Sequence, residues 1–217
     1  MKHVTIWDLP LRIFHWALVV FFAVAVISAK LGGNALEWHV YSGLAVLVLL
    51  IFRVLWGFVG SKHAKFLNFI RGPRTILAYL KGTGEKHIGH NPVGALSVIA
   101  MLLLLLFQAV SGLFSNDDIM TEGPLFALVS KDTSDYLTHL HTLNQYMLYG
   151  VLALHIGAIL YYRLVKRENL VRPMLTGRKQ VPISVAETHE SHGNVWIATA
   201  LIASSTGFVW VISTLWK

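Results

Sequence analysis

The fourth of five long apolar segments contains HTLNQYMLYGVLALH, which runs from His141 to His155. An α-helix turns about 100° and rises about 1.5 Å per residue, so 14 steps bring the two histidines to within about 40° of one face. The same 14 steps separate them by about 21 Å along the helix axis. His139 fails this test, because it lies about 160° from His155 around the helix. The segment therefore presents two histidines on one side, one near each end.

Five segments of the 217-residue chain are long and apolar enough to cross a bilayer, which takes roughly 20 residues of helix. They are about Ile13–Ala29, Trp38–Val59, Val93–Phe114, Leu140–Leu164 and Val195–Leu215. Backbone groups cannot be left unpaired in lipid, so we expect all five to be helices. The predicted fold class is an all-α integral membrane protein.

The composition supports this fold class and excludes several kinds of chemistry. Hydrophobic residues make up 55% of the chain and charged residues 13%, against about 25% charged in ordinary soluble domains. There is no cysteine. Disulfides, iron–sulfur clusters, thiolate zinc sites and covalently attached c-type haem are therefore excluded.

The formal net charge of +7 is explained by the connections between spans. Segments 60–92 and 163–192 each carry six Lys and Arg residues, whereas segment 115–138 carries five acids and Lys131. Lys and Arg favour the cytoplasmic side. We therefore expect a cytoplasmic N-terminus and an outer C-terminus at Lys217, and nucleic acid is not needed as a partner. A short helix at the membrane surface is predicted over Arg74–Leu80.

Ionisable residues inside membrane spans are costly and indicate function. Four histidines lie in or at the ends of the apolar spans: His15, His39, His141 and His155. With alternating span directions, His15 and His155 lie near the cytoplasmic face, and His39 and His141 near the outer face. The depths therefore match in two pairs, stacked across the bilayer.

Two imidazoles on facing helices, with no acid or thiol beside them, suit the iron of haem b. Zinc usually takes four ligands, or three and a water. Two axial histidines leave the iron no open position for oxygen, which favours electron transfer. Interhelical hydrogen bonding and a proton relay in a transporter are the alternatives.

Four stretches carry a resemblance to a known family: LRIFHW at 11–16, WHVYSG at 38–43, RVLWGFVG at 53–60 and the 141–155 segment. The chain resembles the prokaryotic di-haem b-type cytochromes, which include bacterial cytochrome b-561 proteins and cytochrome b subunits of nickel–iron hydrogenases. The resemblance covers about residues 5–180. It implies a four-helix bundle enclosing two haems over residues 1–180, with His15, His39, His141 and His155 as ligands. Residues 181–217 add a fifth, C-terminal transmembrane helix.

The resemblance also implies a role in the bacterial inner membrane. Such a protein passes electrons between the quinone pool and a periplasmic redox protein: a hydrogenase, a c-type cytochrome or a reductase. The alternative is a stand-alone oxidoreductase, such as a superoxide:quinone oxidoreductase. The sequence leaves open whether the chain is an independent enzyme and whether it forms an oligomer.

Basic residues near the cytoplasmic face supply further candidates for contact with small molecules. A quinone site is hypothesised at His63, Lys65, Arg71 and Arg74. Haem propionates seek Arg or Lys, and the candidates are Arg12, Arg53 and Arg163 inside and Lys30 outside.

Overall fold

Five long helices dominate the computed structural model, which describes residues 2–83, 88–182 and 191–214. They are α1 (Leu9–Leu31), α2 (Leu36–Val59), α5 (Pro92–Leu113), α6 (Lys131–Leu164) and α8 (Val195–Thr214). Each is long and apolar enough to cross a membrane, so the prediction of five spanning helices is confirmed. Leu215 and Lys217, to which we extended the last span and its outer end, lie outside the described residues.

Short polar side chains fix where two of these helices begin. The Asn91 Oδ1 accepts a hydrogen bond from the Gly94 backbone N–H at 2.7 Å, and Pro92 occupies the first turn of α5. Likewise, the Asn194 Oδ1 accepts from the Trp196 N–H at 2.9 Å at the start of α8. These caps satisfy donors that the first turn of a helix leaves unpaired.

The fourth spanning helix begins earlier than the predicted Leu140. It starts at Lys131, and its first turn is capped by Ser130, whose Oγ accepts from the Thr133 N–H at 3.3 Å. Residues 131–139 are polar, so hydropathy alone placed them in the connection. A capping serine and the tertiary contact of Ser134, whose Oγ donates to the Phe114 carbonyl at 2.6 Å, extend the helix.

Short elements connect the spans. The helices are α3 (Phe66–Phe69), α4 (Pro73–Leu80) and α7 (Val171–Thr176), and 3-10 turns cover Gly33–Ala35 and Phe126–Leu128. The short helix predicted over Arg74–Leu80 is confirmed as α4. An antiparallel strand pair, which was not predicted, joins β1 (Lys2–Thr5) to β2 (Arg178–Val181), with Lys2 opposite Val181.

The chain forms two compact units. Unit 1 comprises Met1–Ile13, Arg53–Met101 and Val151–Ala198, and unit 2 comprises Phe14–Phe52, Leu102–Gly150 and Thr199–Lys217. The core of unit 2 is aliphatic and includes Val46, Leu50, Leu105 and Leu148. Unit 1 instead buries polar groups, among them Asp8 and Arg53, each 2% exposed, beside Trp56.

Candidate haem site and a buried polar cluster

The structure brings together two of the four predicted histidines, His39 on α2 and His141 on α6. Their ring centroids lie 6.0 Å apart and the ring planes are almost perpendicular, at 84°. Both belong to unit 2. One metal ion between two imidazoles, with metal–nitrogen bonds of about 2 Å on each side, sets the ring centres roughly this far apart.

Backbone carbonyls fix the tautomer of both rings. The Nδ1–H of His39 donates to the Ala25 carbonyl at 2.8 Å, and the Nδ1–H of His141 donates to the Gln108 carbonyl at 3.0 Å. A carbonyl can only accept, so Nδ1 carries the proton in each neutral ring and Nε2 keeps its lone pair. Histidines that ligate metals are oriented in this way by the hydrogen bond of the other ring nitrogen.

Ser111 adds a second acceptor behind His141. Its hydroxyl donates to the Phe107 carbonyl at 2.8 Å, and its oxygen lies 3.1 Å from the His141 Nδ1. Gly112, in the next position, leaves room for the ring, because a Cβ there would lie 3.0 Å from the His141 Cε1. α5 thus positions His141 through Gln108, Ser111 and Gly112.

A pocket adjoins the two rings and encloses about 830 Å³ of empty space, part of which is open to solvent. Its walls are mostly apolar and come from α1, α2, α5 and α6, for example Phe22, Val40, Leu105 and Leu148. Gly43 lies in this wall, and a Cβ at that position would meet no other heavy atom within 4 Å.

The donor set fits a haem better than a bare metal ion. Within residues 2–83, 88–182 and 191–214, no group of three or more His, Cys, Asp or Glu side chains is placed to hold a metal. A porphyrin supplies four nitrogens of its own and needs only axial ligands from the protein. Two imidazoles with free Nε2 atoms beside a broad apolar cavity meet that need.

The other two predicted ligands are partly buried. His15 lies on α1 in unit 2, with its ring 5.1 Å from that of Trp16, and His155 lies on α6 in unit 1. That these two histidines share a haem stays a prediction.

A second group of polar side chains is buried in unit 1 around Asp8, which the sequence analysis missed. The Asp8 carboxylate accepts from the Leu11 N–H at 2.7 Å, from the Trp56 Nε1–H at 3.1 Å and from the Ser61 hydroxyl. The first of these bonds caps α1. An acid three residues before a helical N–H is the signal that could have revealed this cap.

Arg53 lies in the same polar cluster. Its Nη2 donates to the Ala64 carbonyl at 3.2 Å, and its guanidinium carbon lies 4.8 Å from the centre of the Phe66 ring. The Nη1 atom is buried and has no hydrogen-bond partner in the part of the chain that the structure describes. Arg53 was one of three inner propionate candidates, and its burial was not predicted.

His90 packs against two aromatic rings, with its ring centroid 4.5 Å from that of Trp7 and 4.6 Å from that of Phe69. Its Nδ1 is also buried and lacks a partner among the described residues. Burial lowers the pKa of His90 to about 3, and the charges of Arg53 and His63 act in the same direction. The ring is therefore neutral at physiological pH.

The hypothesised quinone residues are only partly gathered. His63 lies at the edge of the polar cluster, its ring centroid 6.3 Å from that of Trp7, and Lys65 is partly buried just before α3. Arg71 and Arg74 are exposed at the start of α4. A quinone site at these residues stays a prediction.

Comparisons with known proteins identify relatives of this chain. The chain is 25% identical to a probable Ni/Fe-hydrogenase B-type cytochrome subunit of Rhizobium leguminosarum bv. viciae, over 82% of this chain and 89% of that protein. Identity to the protein of the same description from Azotobacter chroococcum mcd 1 is 22%, over 80% and 87%. A probable Ni/Fe-hydrogenase 1 B-type cytochrome subunit of Escherichia coli strain K12 is 22% identical, over 49% and 57%. No solved structure matches the chain.

The family assignment rests on most of the chain. Residues 6–177 match the family described as prokaryotic cytochrome b561. This range contains four of the five spanning helices and all four predicted ligands. Haem-binding four-helix bundles of this kind are b-type cytochromes of membranes. The chain is a multi-pass membrane protein that belongs to the prokaryotic cytochrome b561 family.

Proposed function

We propose that this protein conducts electrons across the membrane through two b haems. His39 and His141 hold the outer haem, and His15 and His155 hold the inner haem. The observation that carries the proposal is the pair of Nδ1–H bonds to the Ala25 and Gln108 carbonyls, which leaves both Nε2 atoms of the outer pair free for iron.

The haem, when bound, supplies a reversible one-electron carrier. The chain orients the His39 and His141 imidazoles through the Ala25 carbonyl on α1 and the Gln108 carbonyl on α5. The mostly apolar walls of the cavity would shield a bound haem from water. A haem iron held by both histidines would have no open position for oxygen, which would favour electron transfer.

The charges of the connections between the spans indicate how the protein is oriented in the membrane. The Lys- and Arg-rich connections 60–92 and 163–192 face the cytoplasm, and the acidic connection 115–138 faces the periplasm of a bacterial inner membrane. The N-terminus is then cytoplasmic and the C-terminus periplasmic. In this domain division, residues 1–180 form the di-haem bundle and residues 181–217 add one transmembrane helix.

The partner on the outer side is a nickel–iron hydrogenase. The relatives from Rhizobium, Azotobacter and Escherichia are described as B-type cytochrome subunits of such enzymes, and this supports the proposal. Electrons that the hydrogenase releases from hydrogen would pass to the quinone pool through haems held by His39 with His141 and by His15 with His155. A c-type cytochrome or another reductase is the alternative outer partner.

A reduced-minus-oxidised absorption spectrum, with haem quantified per chain, tests the two-haem arrangement. We expect two b haems per chain. Replacing His15, His39, His141 or His155 by Ala should each remove one haem. His139→Ala is the matched control, because His139 is an exposed histidine on the same helix as His141, and it should keep both haems.

Other haem counts would contradict the proposal in different ways. One haem per chain would show that one depth-matched pair is wrong, and the replacement series would identify which. No haem would overturn the electron-transfer function.

The partner is tested separately, by adding hydrogen to membranes that contain the cytochrome with or without the hydrogenase of the same bacterium. We expect haem reduction by hydrogen only when the hydrogenase is present. If hydrogen failed to reduce the haems while dithionite reduced both, the result would contradict a hydrogenase as the partner and leave the proposed electron transfer across the membrane intact.

A further inference from the structure

A buried cation in unit 1 lacks an acceptor for one of its donor atoms. Arg53 is 2% exposed, and its Nη1 has no hydrogen-bond partner in residues 2–83, 88–182 and 191–214. Burying a charged donor without a partner is costly, so such a group marks a place that a ligand or water fills. An arginine fork favours a carboxylate or phosphate.

The nearby Asp8 does not supply this acceptor. Asp8 attracts Arg53 electrostatically, but its Oδ1 is engaged by the Leu11 N–H and its Oδ2 by Trp56 and Ser61. The backbone of Gly193 closes over the same carboxylate, since a Cβ there would lie 3.1 Å from the Asp8 Cγ. Asp8 thus accepts hydrogen bonds from the start of α1, from Trp56 and from Ser61, and none of its oxygens accepts from the Arg53 Nη1.

His90 belongs to the same aromatic cluster as Arg53, because the Phe66 ring that contacts the Arg53 guanidinium lies 5.7 Å from the ring of Phe69, which packs against His90. Its ring is neutral, and its buried Nδ1 is unpartnered in the described chain. A neutral imidazole that carries its proton on Nδ1 can donate to an anionic oxygen, and the positive charge of the Arg53 guanidinium favours an anionic ligand over a metal cation. Trp7 and Phe69 pack against this ring, with centroid distances of 4.5 and 4.6 Å.

Helix spacing gives the depth of Arg53. Arg53 follows His39 on α2 by 14 residues, the same number that separates His141 from His155 on α6. The second and fourth spans run in the same direction, and His39 and His141 lie side by side. Each helix rises about 21 Å over these 14 residues, so we expect Arg53 near the depth of His155.

We propose that Arg53, assisted by His90, binds a propionate carboxylate of the inner haem. This inference rests on the two-haem function proposed above. Of the three sequence candidates, Arg163 is exposed, whereas Arg12 and Arg53 each bury one donor atom that has no partner in the described chain. We prefer Arg53, because its unpartnered atom is the terminal Nη1, whereas the Arg12 Nη1 donates to the Leu175 carbonyl and only its Nε is unpartnered. Arg53 is a positioning residue that acts on the haem through the propionate.

The test measures the midpoint potentials of both haems by spectroelectrochemical titration of the purified protein. Arg53→Gln removes a positive charge that favours the reduced haem. We expect one potential to fall by about 59 mV, which is a tenfold change in the ratio of reduced to oxidised haem for a one-electron couple. The other potential should stay unchanged. The affected potential of Arg53→Lys should lie between those of Arg53→Gln and the wild type. Arg163→Gln is the matched control and should change neither potential.

A double-mutant cycle isolates the propionate contact. Wild type and Arg53→Gln are each loaded with haem b or with haem dimethyl ester, whose propionates are blocked. We expect the potential shift caused by Arg53→Gln to shrink at least threefold in the ester-loaded protein. His90→Phe should produce a smaller shift in the same haem, which is also reduced by the ester.

The outcomes separate the inference from the function. Two bound haems whose potentials do not respond to Arg53→Gln would overturn the inference and leave the proposed function intact. An equal shift with haem and with its ester would also overturn it, because Arg53 would then act on the iron by charge alone. A wild type with one haem per chain, retaining the His39 and His141 site, would overturn the inner-haem proposal and this inference with it.

Discussion

Ser111 contacts the Nδ1 side of His141, a predicted iron ligand. Its oxygen accepts from the His141 Nδ1–H, and such an acceptor makes an imidazole a stronger donor to a metal. We expect Ser111→Ala to raise the potential of the outer haem and to weaken its retention by about tenfold. This is the low end of the usual effect of removing such a partner, since the Gln108 carbonyl remains. Haem dissociation and redox titration check both expectations.

Ser205→Ala is the matched control for this change. Ser205 is also a buried serine, on α8, and its hydroxyl donates to the Leu201 carbonyl four residues earlier, as that of Ser111 does to Phe107. An outer-haem potential that moved equally in both variants would contradict a specific role for Ser111.

The histidines and the buried cluster differ in how far the sequence could predict them. His39 and His141 were selected by depth and helix spacing, and the structure places their rings together. Asp8 and His90 were missed because their burial depends on Trp56, Ser61, Trp7 and Phe69, which lie in four separate segments. Hydropathy and periodicity report on one helix at a time, so they carry no information about such a cluster.

α2 contributes a wall of the cavity at Gly43 as well as the ligand His39. We expect Gly43→Leu to fill that space and to abolish the outer haem, while the inner haem stays bound. Gly207→Leu on α8 is the control: a Cβ there also meets nothing within 4 Å, and Gly207 does not line the cavity. Both changes improve helix propensity by up to about 1 kcal/mol. A normal haem content in Gly43→Leu would contradict this account of the cavity.

The connection between α5 and α6 contains a turn built on Asp117. Its Oδ1 accepts from the backbone N–H groups of Ile119, Met120 and Thr121 at 3.0, 2.9 and 2.8 Å. These bonds, led by those from Met120 and Thr121, lower the pKa of Asp117 from 3.8 to about 2. The stabilisation of the turn is therefore complete above pH 3.8 and is lost as the pH falls through about 2.

Hydrogen exchange of the amides at 119–121 tests this turn. At neutral pH we expect Asp117→Ala to speed exchange severalfold, and we expect the wild type to resemble the variant only near pH 2, after correction for intrinsic rates. Asp132→Ala, which removes an exposed carboxylate from the first turn of α6, should leave these amides unchanged. Protection that persists in Asp117→Ala would show that the turn does not depend on the carboxylate.

Helix boundaries were predictable where hydropathy changes and not where polar residues continue a helix. The ends of α2 and α8 lie within two residues of the predicted positions. The start of α6 lies nine residues earlier, because Ser130 caps it and Ser134 packs against the end of α5. β1 and β2 were missed because each has four residues and its partner is far away in sequence.

Asp8 contributes to the stability of the folded chain, because its carboxylate links the N-terminal segment by hydrogen bonds to Trp56 on α2 and to Ser61 in the connection after it. Asp8→Ala removes the cap of α1 and leaves the buried Trp56 N–H and Ser61 hydroxyl without their acceptor. We expect the free energy of unfolding to fall by about 2–3 kcal/mol, from the lost cap and unsatisfied buried donors. Denaturant unfolding in detergent micelles measures it.

Asp132→Ala provides the comparison for stability as well, because Asp132 is exposed. Equal stabilities of the two variants would contradict the role of Asp8. The free energy of unfolding of Asp8→Asn should lie closer to that of the wild type than that of Asp8→Ala does, since an amide oxygen can still accept from the N–H groups of Leu11 or Trp56.

The pairing of β1 with β2 also fixes an order of events during synthesis. The Ile6 N–H donates to the Gly177 carbonyl at 2.8 Å, and Lys2 lies opposite Val181. The first strand therefore emerges from the ribosome long before its partner is synthesised. It stays unpaired with β2 while the first four spans are synthesised and inserted. Chains grow at about 5–20 residues per second, so this wait lasts on the order of ten seconds or more. The strand pair can therefore form only after the first four spans have been synthesised.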